Sequence, residues 1–533
     1  MRLFTTISGL RCFLDCALAA NRSIKAPTSA STTEPSKPDV GFVPTMGALH
    51  RGHLSLIERA RQENQLVVVS IFVNPLQFGP QEDFQQYPRD LEHDQQLCQQ
   101  AGVDVLFVPS TDELVPQASG LSLPSTQVVP PDAMTEVLCG RTRIGHFQGV
   151  ATIITKLFNL VQPTRAYFGQ KDAQQLAVLR RMVGDLNLPV EILTCPTVRE
   201  ASGLAMSSRN QYLTVEQKQQ AISLYRGLQQ AAQAFYRGER TNLVLVEAVK
   251  AELEKEPAIA PEYVELVHPV TLAPLAEIEE GGLLAIAARL GATRLIDNMV
   301  LTTRRPIVAI DGPAGAGKST VARLVAQALG LLYLDTGAMY RAITWLVMQS
   351  SAIALTDEPA IAELVSQTAV VVSGDPLAVQ VSVNGEDVTQ AIRSLEVTAN
   401  VSTIAAQPAV RKELVKQQRR YGQRGGVVIE GRDIGTYVFP DAEVKIFLTA
   451  SAQERARRRQ QDLINQGKGE VSLDMLEQSI LERDFKDSNR ALAPLKKAID
   501  AIELDTDPLT IPQVVDRIVQ LYQERIDIAR QTL

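Results

Sequence analysis

Apolar and polar residues alternate along this chain with two different periods. Short apolar runs at residues 40–43, 66–72, 103–108 and 166–168 have the length of buried strands, and helical patterns over 54–62, 90–101 and 149–161 lie between them. Strands apolar on both faces and separated by amphipathic helices predict a parallel α/β sheet. Nearer the N-terminus, Arg2 is followed by apolar residues as far as Ala20, as in a signal peptide. Arg11 and Asp15 interrupt that stretch, so a short strand and an amphipathic helix are predicted instead. Residues 26–39 are rich in Ser, Thr and Pro, with almost no apolar side chain, and predict a mobile loop.

From about residue 215 the pattern changes. A polar, Gln-rich helix over 216–237 precedes strands at 263–267 and 284–288. This predicts a smaller α+β subdomain, about 213–300, closing over the first, about 1–212. A polar junction at 302–306 leads into a new apolar strand over 307–310 and a helix over 319–329, so a second α/β domain begins and the chain divides into 1–303 and 304–533. The second part adds a hairpin, 378–383 with 386–388 around Asn384-Gly385, and a buried strand at 427–429. No internal repeat is visible.

Between the strand at 307–310 and the helix at 319–329 lies Gly312-Pro313-Ala314-Gly315-Ala316-Gly317-Lys318-Ser319, followed by Thr320. The spacing GxxxxGK[ST], flanked by strand and helix, is that of a phosphate-binding loop rather than a chance Gly-rich turn. Its glycines let backbone N–H groups converge on phosphate, Lys318 reaches the terminal phosphates, and the Ser319 hydroxyl can ligate Mg²⁺. A GTPase would carry an NKxD base-reading motif, and none is present. Instead Asp335-Thr336-Gly337-Ala338-Met339-Tyr340-Arg341 lies one helix further on, where nucleoside monophosphate kinases receive their acceptor. Glu430-Gly431-Arg432-Asp433-Ile434-Gly435-Thr436 ends a buried strand, at the edge where ligands bind. Arg483-Asp484-Phe485-Lys486-Asp487-Ser488-Asn489-Arg490 reads as a basic, mobile lid, since phosphoryl transfer needs guanidinium groups around the moving phosphate. Residues 455–459 read as a solvated charged helix.

The first half has its own constellation. Only five histidines occur, and two stand in Ala48-Leu49-His50-Arg51-Gly52-His53, at a strand-to-helix turn where imidazoles can stabilise charge on ATP during adenylyl transfer. Zinc is the rival reading, but no third His or Cys stands at a matching distance. Met206-Ser207-Ser208-Arg209-Asn210 is a second loop able to hold phosphates. Gly169-Gln170-Lys171-Asp172 adds a lysine for phosphate and a carboxylate for Mg²⁺ or ribose.

Together with Pro44-Thr45-Met46-Gly47-Ala48-Leu49-His50, Phe72-Val73-Asn74-Pro75-Leu76-Gln77-Phe78 and Gly145-His146-Phe147-Gln148-Gly149-Val150, these segments resemble the successive motifs of pantothenate synthetase (pantoate–β-alanine ligase) over about residues 40–298. The resemblance implies a Rossmann-like nucleotidyltransferase sheet and a two-step reaction: ATP converts pantoate to pantoyl adenylate, and β-alanine then displaces AMP. It implies that Met46, Gly47, Ala48, Leu49, His50, Arg51, Gly52 and His53 cradle ATP, with His53 as the acid. Gln77 and Gln175 would hold pantoate, Val198 and Met206 would flank adenine, and Gly169 and Gln170 would border the nucleotide. Lys171, Ser207, Ser208 and Arg209 would neutralise phosphate, and Asp172 would bind Mg²⁺. It also implies dimerisation through the first half.

The second set, with Asp500-Ala501-Ile502-Glu503-Leu504-Asp505-Thr506, resembles cytidylate kinase over about 305–525, with residues 357–397 in the place of that family's extra insert. The resemblance implies a P-loop kinase domain that binds CMP or dCMP through Thr336, Tyr340, Arg341, Ser402, Arg411, Arg432, Asp433 and Asp487, with Arg411 and Arg432 on the phosphate. A UMP or AMP kinase, or a half that serves only as a binding module, stays open. His50, His53, Lys171 and Arg209 would carry the ligase chemistry, and Lys318, Arg483 and Arg490 the phosphoryl transfer.

Bulk properties fit two ATP-using enzymes. A hydrophobic content of 45% and a charged content of 21% are ordinary for a globular protein, and a net charge of -7 argues against nucleic acid as a general partner. No apolar run is long enough to span a membrane. The five cysteines, Cys12, Cys16, Cys98, Cys139 and Cys195, form no CxxC pair, which suits reduced thiols in the cytoplasm.

Overall fold

The fold is given by a computed structural model, which describes residues 1–23, 39–79, 82–115, 126–350, 352–465, 471–489 and 493–531. The predicted loop at 26–39, apart from Asp39, and Arg490 lie outside the described residues. The chain divides into two compact units, Met1–Thr303 and Arg304–Thr532. Among the described residues no helix is long and apolar enough to cross a membrane.

The first unit is built on six strands: β1 (Arg2–Phe4), β2 (Val40–Thr45), β3 (Leu66–Ile71), β4 (Val105–Phe107), β5 (Arg165–Gly169) and β6 (Glu191–Cys195). They lie in the order β1-β4-β3-β2-β5-β6, and every pair is parallel. Phe42, Val67, Val68, Val69, Val105 and Ala166 are completely buried, so helices must cover both faces, and the apolar runs reflect this. The chain first moves outward from β2 to β3 and β4, then returns to β2's other side with β5. The carboxyl edge beside β2 is therefore a topological switch point, where open α/β sheets bind ligands.

The N-terminal residues form the predicted strand and then a helix, Ile7–Ser23. The helix expected from residue 149 begins earlier, at His146, because Gly145 starts it in a left-handed conformation, φ 80°. Gly149 then falls inside that helix for a different reason. A Cβ there would lie 2.2 Å from the Leu76 carbonyl oxygen, so only glycine lets the helix approach the 3₁₀ turn Pro75–Gln77. Asn74 locks the same contact by donating from Nδ2 to the Gly149 carbonyl at 3.1 Å.

The rest of the unit is an antiparallel sheet of β7 (Ile259–Val267), β8 (Gly281–Leu290) and β9 (Thr293–Thr302), with helices Val215–Tyr236 and Asn242–Leu253. Only the middles of β7 and β8 were visible as apolar runs. β9 was not, because Arg294, Asp297 and Asn298 break its pattern.

In the second unit β10 (Val308–Asp311), β11 (Leu332–Asp335), β15 (Val427–Glu430), β16 (Val444–Thr449) and β17 (Ile502–Asp505) make a parallel sheet in the order β11-β15-β10-β16-β17. A small antiparallel sheet of β12 (Val370–Ser373), β13 (Gln380–Val383) and β14 (Glu386–Asp387) contains the expected hairpin and one strand the sequence did not reveal. β10 is central, and the glycine loop leaves its carboxyl end. Gly312 has φ 148°, and a Cβ on it would lie 2.1 Å from the Leu448 carbonyl oxygen, so this first loop position must be glycine.

Gly149→Ala should lower stability by about 1–3 kcal/mol through overpacking. A urea titration followed by far-UV circular dichroism reads this, and an unchanged midpoint would contradict the close approach.

Candidate active sites

At the carboxyl end of β2 the chain turns through Met46–Leu49 into the helix Arg51–Glu63, whose N-cap is His50. The Nδ1 atom of His50 accepts the Gly52 N–H at 3.1 Å, and the Nδ1 atom of His53 accepts the His50 N–H at 3.4 Å. With both Nδ1 atoms acting as acceptors, each neutral ring carries its proton on Nε2. The rings lie 4.1 Å apart. Burial, then the charge of Lys171, lowers the pKa of His50 to about 4. Burial, then His50 and Lys171, lowers that of His53 to about 3. Burial therefore keeps the His53 ring neutral near neutral pH, with its one proton on Nε2.

A cavity of about 220 Å³ opens in front of this turn. His50, Gly52, His53 and Met46 line it from the turn, and Gly169, Lys171 and Asp172 from the end of β5. Gln77, Gln175, Val198 and the loop Met206, Ser207, Ser208 and Arg209 complete the wall. Gly47, Ala48, Leu49, Arg51 and Gln170 do not line it. The amides of Ala48 and Leu49 are taken by the buried Asp94 carboxylate at 2.9 and 2.7 Å. Arg51 points outward to Glu58 at 2.8 Å, and Gln170 Nε2 donates to Asn298 Oδ1 at 3.4 Å.

Several neighbours hold the lining in place. Gln77 donates from Nε2 to Met46 Sδ at 2.8 Å, and its carbonyl receives the Nδ1–H of His146 at 2.7 Å. His146 is fixed in turn by Arg143, which reaches its Nε2 at 2.9 Å and pairs with Glu82 at 2.6 Å. Arg209 forks onto Asp83 with two contacts of 2.9 Å, and Ser208 meets the Tyr87 hydroxyl at 3.1 Å. From β9, Asn298 Nδ2 donates to the carbonyls of Gln170 and Lys171 at 3.1 and 2.8 Å. A second cavity, of about 640 Å³, shares Lys171, Asp172, Gln175, Ser207 and Arg209 and extends along β8 and β9.

The second site surrounds the glycine loop, residues 312–317. Lys318 is buried and donates to the Pro313 carbonyl at 2.6 Å, while burial and then Arg432 lower its pKa. Ser319 donates to Glu430 Oε2 at 2.9 Å, and the Tyr333 hydroxyl bonds the other carboxylate oxygen. Buried Asp311 accepts the N–H groups of Ile434 and Gly435 at 2.8 and 2.7 Å, and burial raises its pKa to about 6.

Arginine–carboxylate pairs ring the loop. Arg341 pairs with Asp335 at 3.1 Å, Arg432 with Asp487 at 3.2 Å, and fully buried Arg411 with Asp433. The Tyr340 ring lies 5.7 Å from the Arg411 guanidinium. Thr336 is buried and bonds the Glu430 carbonyl at 2.8 Å, which fixes the strand end. Ser402 is exposed on the helix Leu395–Ala405. Arg483, in the segment expected as a basic lid, stands on the helix Leu473–Asn489; desolvation and then Arg432 lower its pKa.

Arg455 corrects the reading of 455–459 as a solvated face. It is buried, donates to the Ala314 carbonyl in the loop at 3.1 Å, and pairs with Asp484 at 2.7 Å. No local signal distinguishes it from Arg457, which is exposed on the same helix. Asp94 was likewise missed, although a lone carboxylate on the apolar side of the 90–101 helix was a usable sign.

The histidine geometry predicts a pH response. Because the folded pKa values lie below the ordinary 6.5, the unfolded chain takes up protons first, and stability falls as pH drops from about 6.5 toward 4. Nitrogen-15 imidazole spectra should show both rings neutral, with the proton on Nε2, at pH 5. A midpoint above 6 for either ring would contradict the geometry.

Comparison with known proteins bears on both sites. Residues 19–300 match the family model of pantoate-β-alanine ligase, and residues 308–524 that of cytidylate kinase. Bifunctional pantoate ligase/cytidylate kinase of Nostoc sp. is 61% identical over 99% of this chain and 99% of its own. The proteins of that name from Trichodesmium erythraeum and Acaryochloris marina are 55% and 56% identical, each over 98% of both chains. Among solved structures, pantothenate synthetase from Thermus thermophilus is 46% identical and covers 56% of this chain and 99% of its own, with a TM-score of 0.49. Two strand-to-helix turns in two units, matched end to end by relatives that carry both halves, leave one conclusion: the chain belongs to the family of bifunctional pantoate ligase/cytidylate kinases.

Proposed function

We propose that residues 1–303 join pantoate to β-alanine and that residues 304–533 phosphorylate CMP and dCMP, each with ATP as the co-substrate. The observation that carries the first activity is a single cavity lined by the imidazoles of His50 and His53, one lysine and the side-chain amides of Asn74, Gln77 and Gln175. A carboxylate of pantoate attacks the α-phosphorus of ATP, and pyrophosphate leaves. The amine of β-alanine then attacks the resulting acyl carbonyl, and AMP leaves with the bonding electron pair.

In this reading the Nε2–H groups of His50 and His53 and the ammonium of Lys171 meet the charge that builds on the phosphates. Gln77 and Gln175 orient pantoate without salt-bridging its reacting carboxylate. Val198 and Met206 flank adenine, and Ser207, Ser208 and Arg209 close on the phosphates once Arg209 shares or leaves Asp83.

For the second activity Lys318 and the loop amides take the ATP phosphates, and Arg341, Arg411, Arg432 and Arg483 surround the group in transfer. Tyr340, Ser402 and Asp433 face the nucleoside, and Thr336 and Asp487 hold the turn and Arg432 in place.

Among the described residues no cluster of three His, Cys, Asp or Glu side chains could cage a metal. Mg²⁺ suits such a donor set, because it binds through one or two protein oxygens and substrate phosphates. Asp172 in the first site and Ser319 beside Glu430 in the second would supply those oxygens, and the ion would neutralise phosphate charge.

His53→Ala should reduce pantoate-dependent pyrophosphate release by about 10²–10³-fold and leave CMP phosphorylation unchanged. Lys318→Ala should do the reverse, and a variant that loses both activities would contradict separate sites. With ATP fixed, CMP and dCMP should be phosphorylated several-fold better than UMP or AMP. The cytosine amino group is a donor and suits the Asp433 carboxylate, whereas uracil presents an acceptor there. A preference for UMP or AMP would overturn the kinase assignment.

A further inference from the structure

The turn that presents His50 holds two consecutive residues in the left-handed region, Gly47 at φ 84° and Ala48 at φ 51°. The second is not glycine, and a Cβ-bearing residue adopts this conformation only when its surroundings hold it there. In this turn the N–H groups of Ala48 and Leu49 face the same side, where a single anion can bridge them. Here the anion is supplied by the chain itself. Asp94, on the helix Leu91–Gln100, accepts the Ala48 N–H through Oδ2 at 2.9 Å and the Leu49 N–H through Oδ1 at 2.7 Å. Asp94 is 1% exposed, and both of its carboxylate oxygens are engaged by consecutive amides. A Cβ on Gly47 would come within 3.0 Å of Asp94 Oδ2, so the carboxylate also sits against the first left-handed residue.

We propose that Asp94 is a positioning residue for adenylyl transfer: it fills the amide concavity of the 47–49 turn and thereby sets where His50 and His53 present their Nε2–H groups. The inference rests on the ligase reading of this site. The next residue after Leu49 is the helix N-cap, and the His50 and His53 rings are tied to the backbone of that first helical turn. A turn that relaxed out of the left-handed region would swing both rings together. With the Ala48 and Leu49 amides occupied by Asp94, phosphate has to be met by side chains, which is why two histidines and a lysine converge there. The two charge-assisted hydrogen bonds stabilise a backbone shape that Ala48 would otherwise leave.

The test uses the full chain with pantoate and ATP, and the urea midpoint of the first unit as a measure of folding. Asp94→Ala should lower kcat for pantoate-dependent pyrophosphate release by about a hundred-fold, with the pantoate KM changed far less, as expected for displaced catalytic groups. Asp94→Asn keeps the volume but turns an N–H₂ toward one amide, and should fall between the two. Added formate, which fits the vacated concavity, should restore part of the Asp94→Ala turnover. In an Ala48→Gly background the loss on removing Asp94 should shrink, because glycine holds a positive φ without help. An Asp94→Ala kcat within about twofold of the unaltered protein would overturn the proposal. So would a loss that neither formate nor the Ala48→Gly background reduces, since that marks a merely structural carboxylate. An unaltered chain that releases no pyrophosphate with pantoate would instead overturn the ligase reading on which it rests.

Discussion

Two strand-to-helix turns, one after β2 and one after β10, set where nearly every other functional group must stand. Each leaves a strand inside a parallel sheet, at a carboxyl edge, and each bends through residues in the left-handed region before a helix begins. The two turns solve the phosphate problem differently. The loop at 312–317 offers backbone amides directly and adds a lysine at the first helical position. The turn at 46–50 commits its amides to Asp94 and offers side chains instead. In the proposed function the first arrangement wraps a phosphate chain, and the second leaves an α-phosphorus open on one side.

Charge is stored in both sites as pairs. Arg209 rests on Asp83, Arg341 on Asp335, Arg432 on Asp487 and Arg411 on Asp433. A guanidinium buried alone would be costly, and a carboxylate partner keeps it charged and oriented before substrate arrives. Phosphate can then join or replace that carboxylate with little reorganisation. The histidines follow the opposite logic. Burial keeps His50 and His53 neutral, so they add no charge beside Lys171.

What could be read from the sequence was local. The glycine loop, the HxGH turn and the strands with uninterrupted apolar runs each declare themselves within a few residues, and the family followed from the order of such segments. What could not be read depends on contacts between distant residues. Asp94 acts on residues 48 and 49 from a helix further along the chain, and Arg455 acts on residue 314 from a helix whose exposed arginines look the same in sequence. β9 was hidden because its polar residues Asp297 and Asn298 clamp Arg199 and the Lys171 loop, so function broke the strand pattern. The protonation of the histidines was also illegible, since it is set by burial that only the fold supplies.

The central claim is that the first unit activates a carboxylate by adenylyl transfer, with the neutral histidines serving an α-phosphorus. Pantoate labelled with a heavy oxygen isotope in its carboxylate tests this most directly. After turnover with ATP and β-alanine, the account predicts that one labelled oxygen per turnover is found in AMP, with unlabelled pyrophosphate. Label recovered in inorganic phosphate together with ADP would mean an acyl phosphate intermediate and would contradict it.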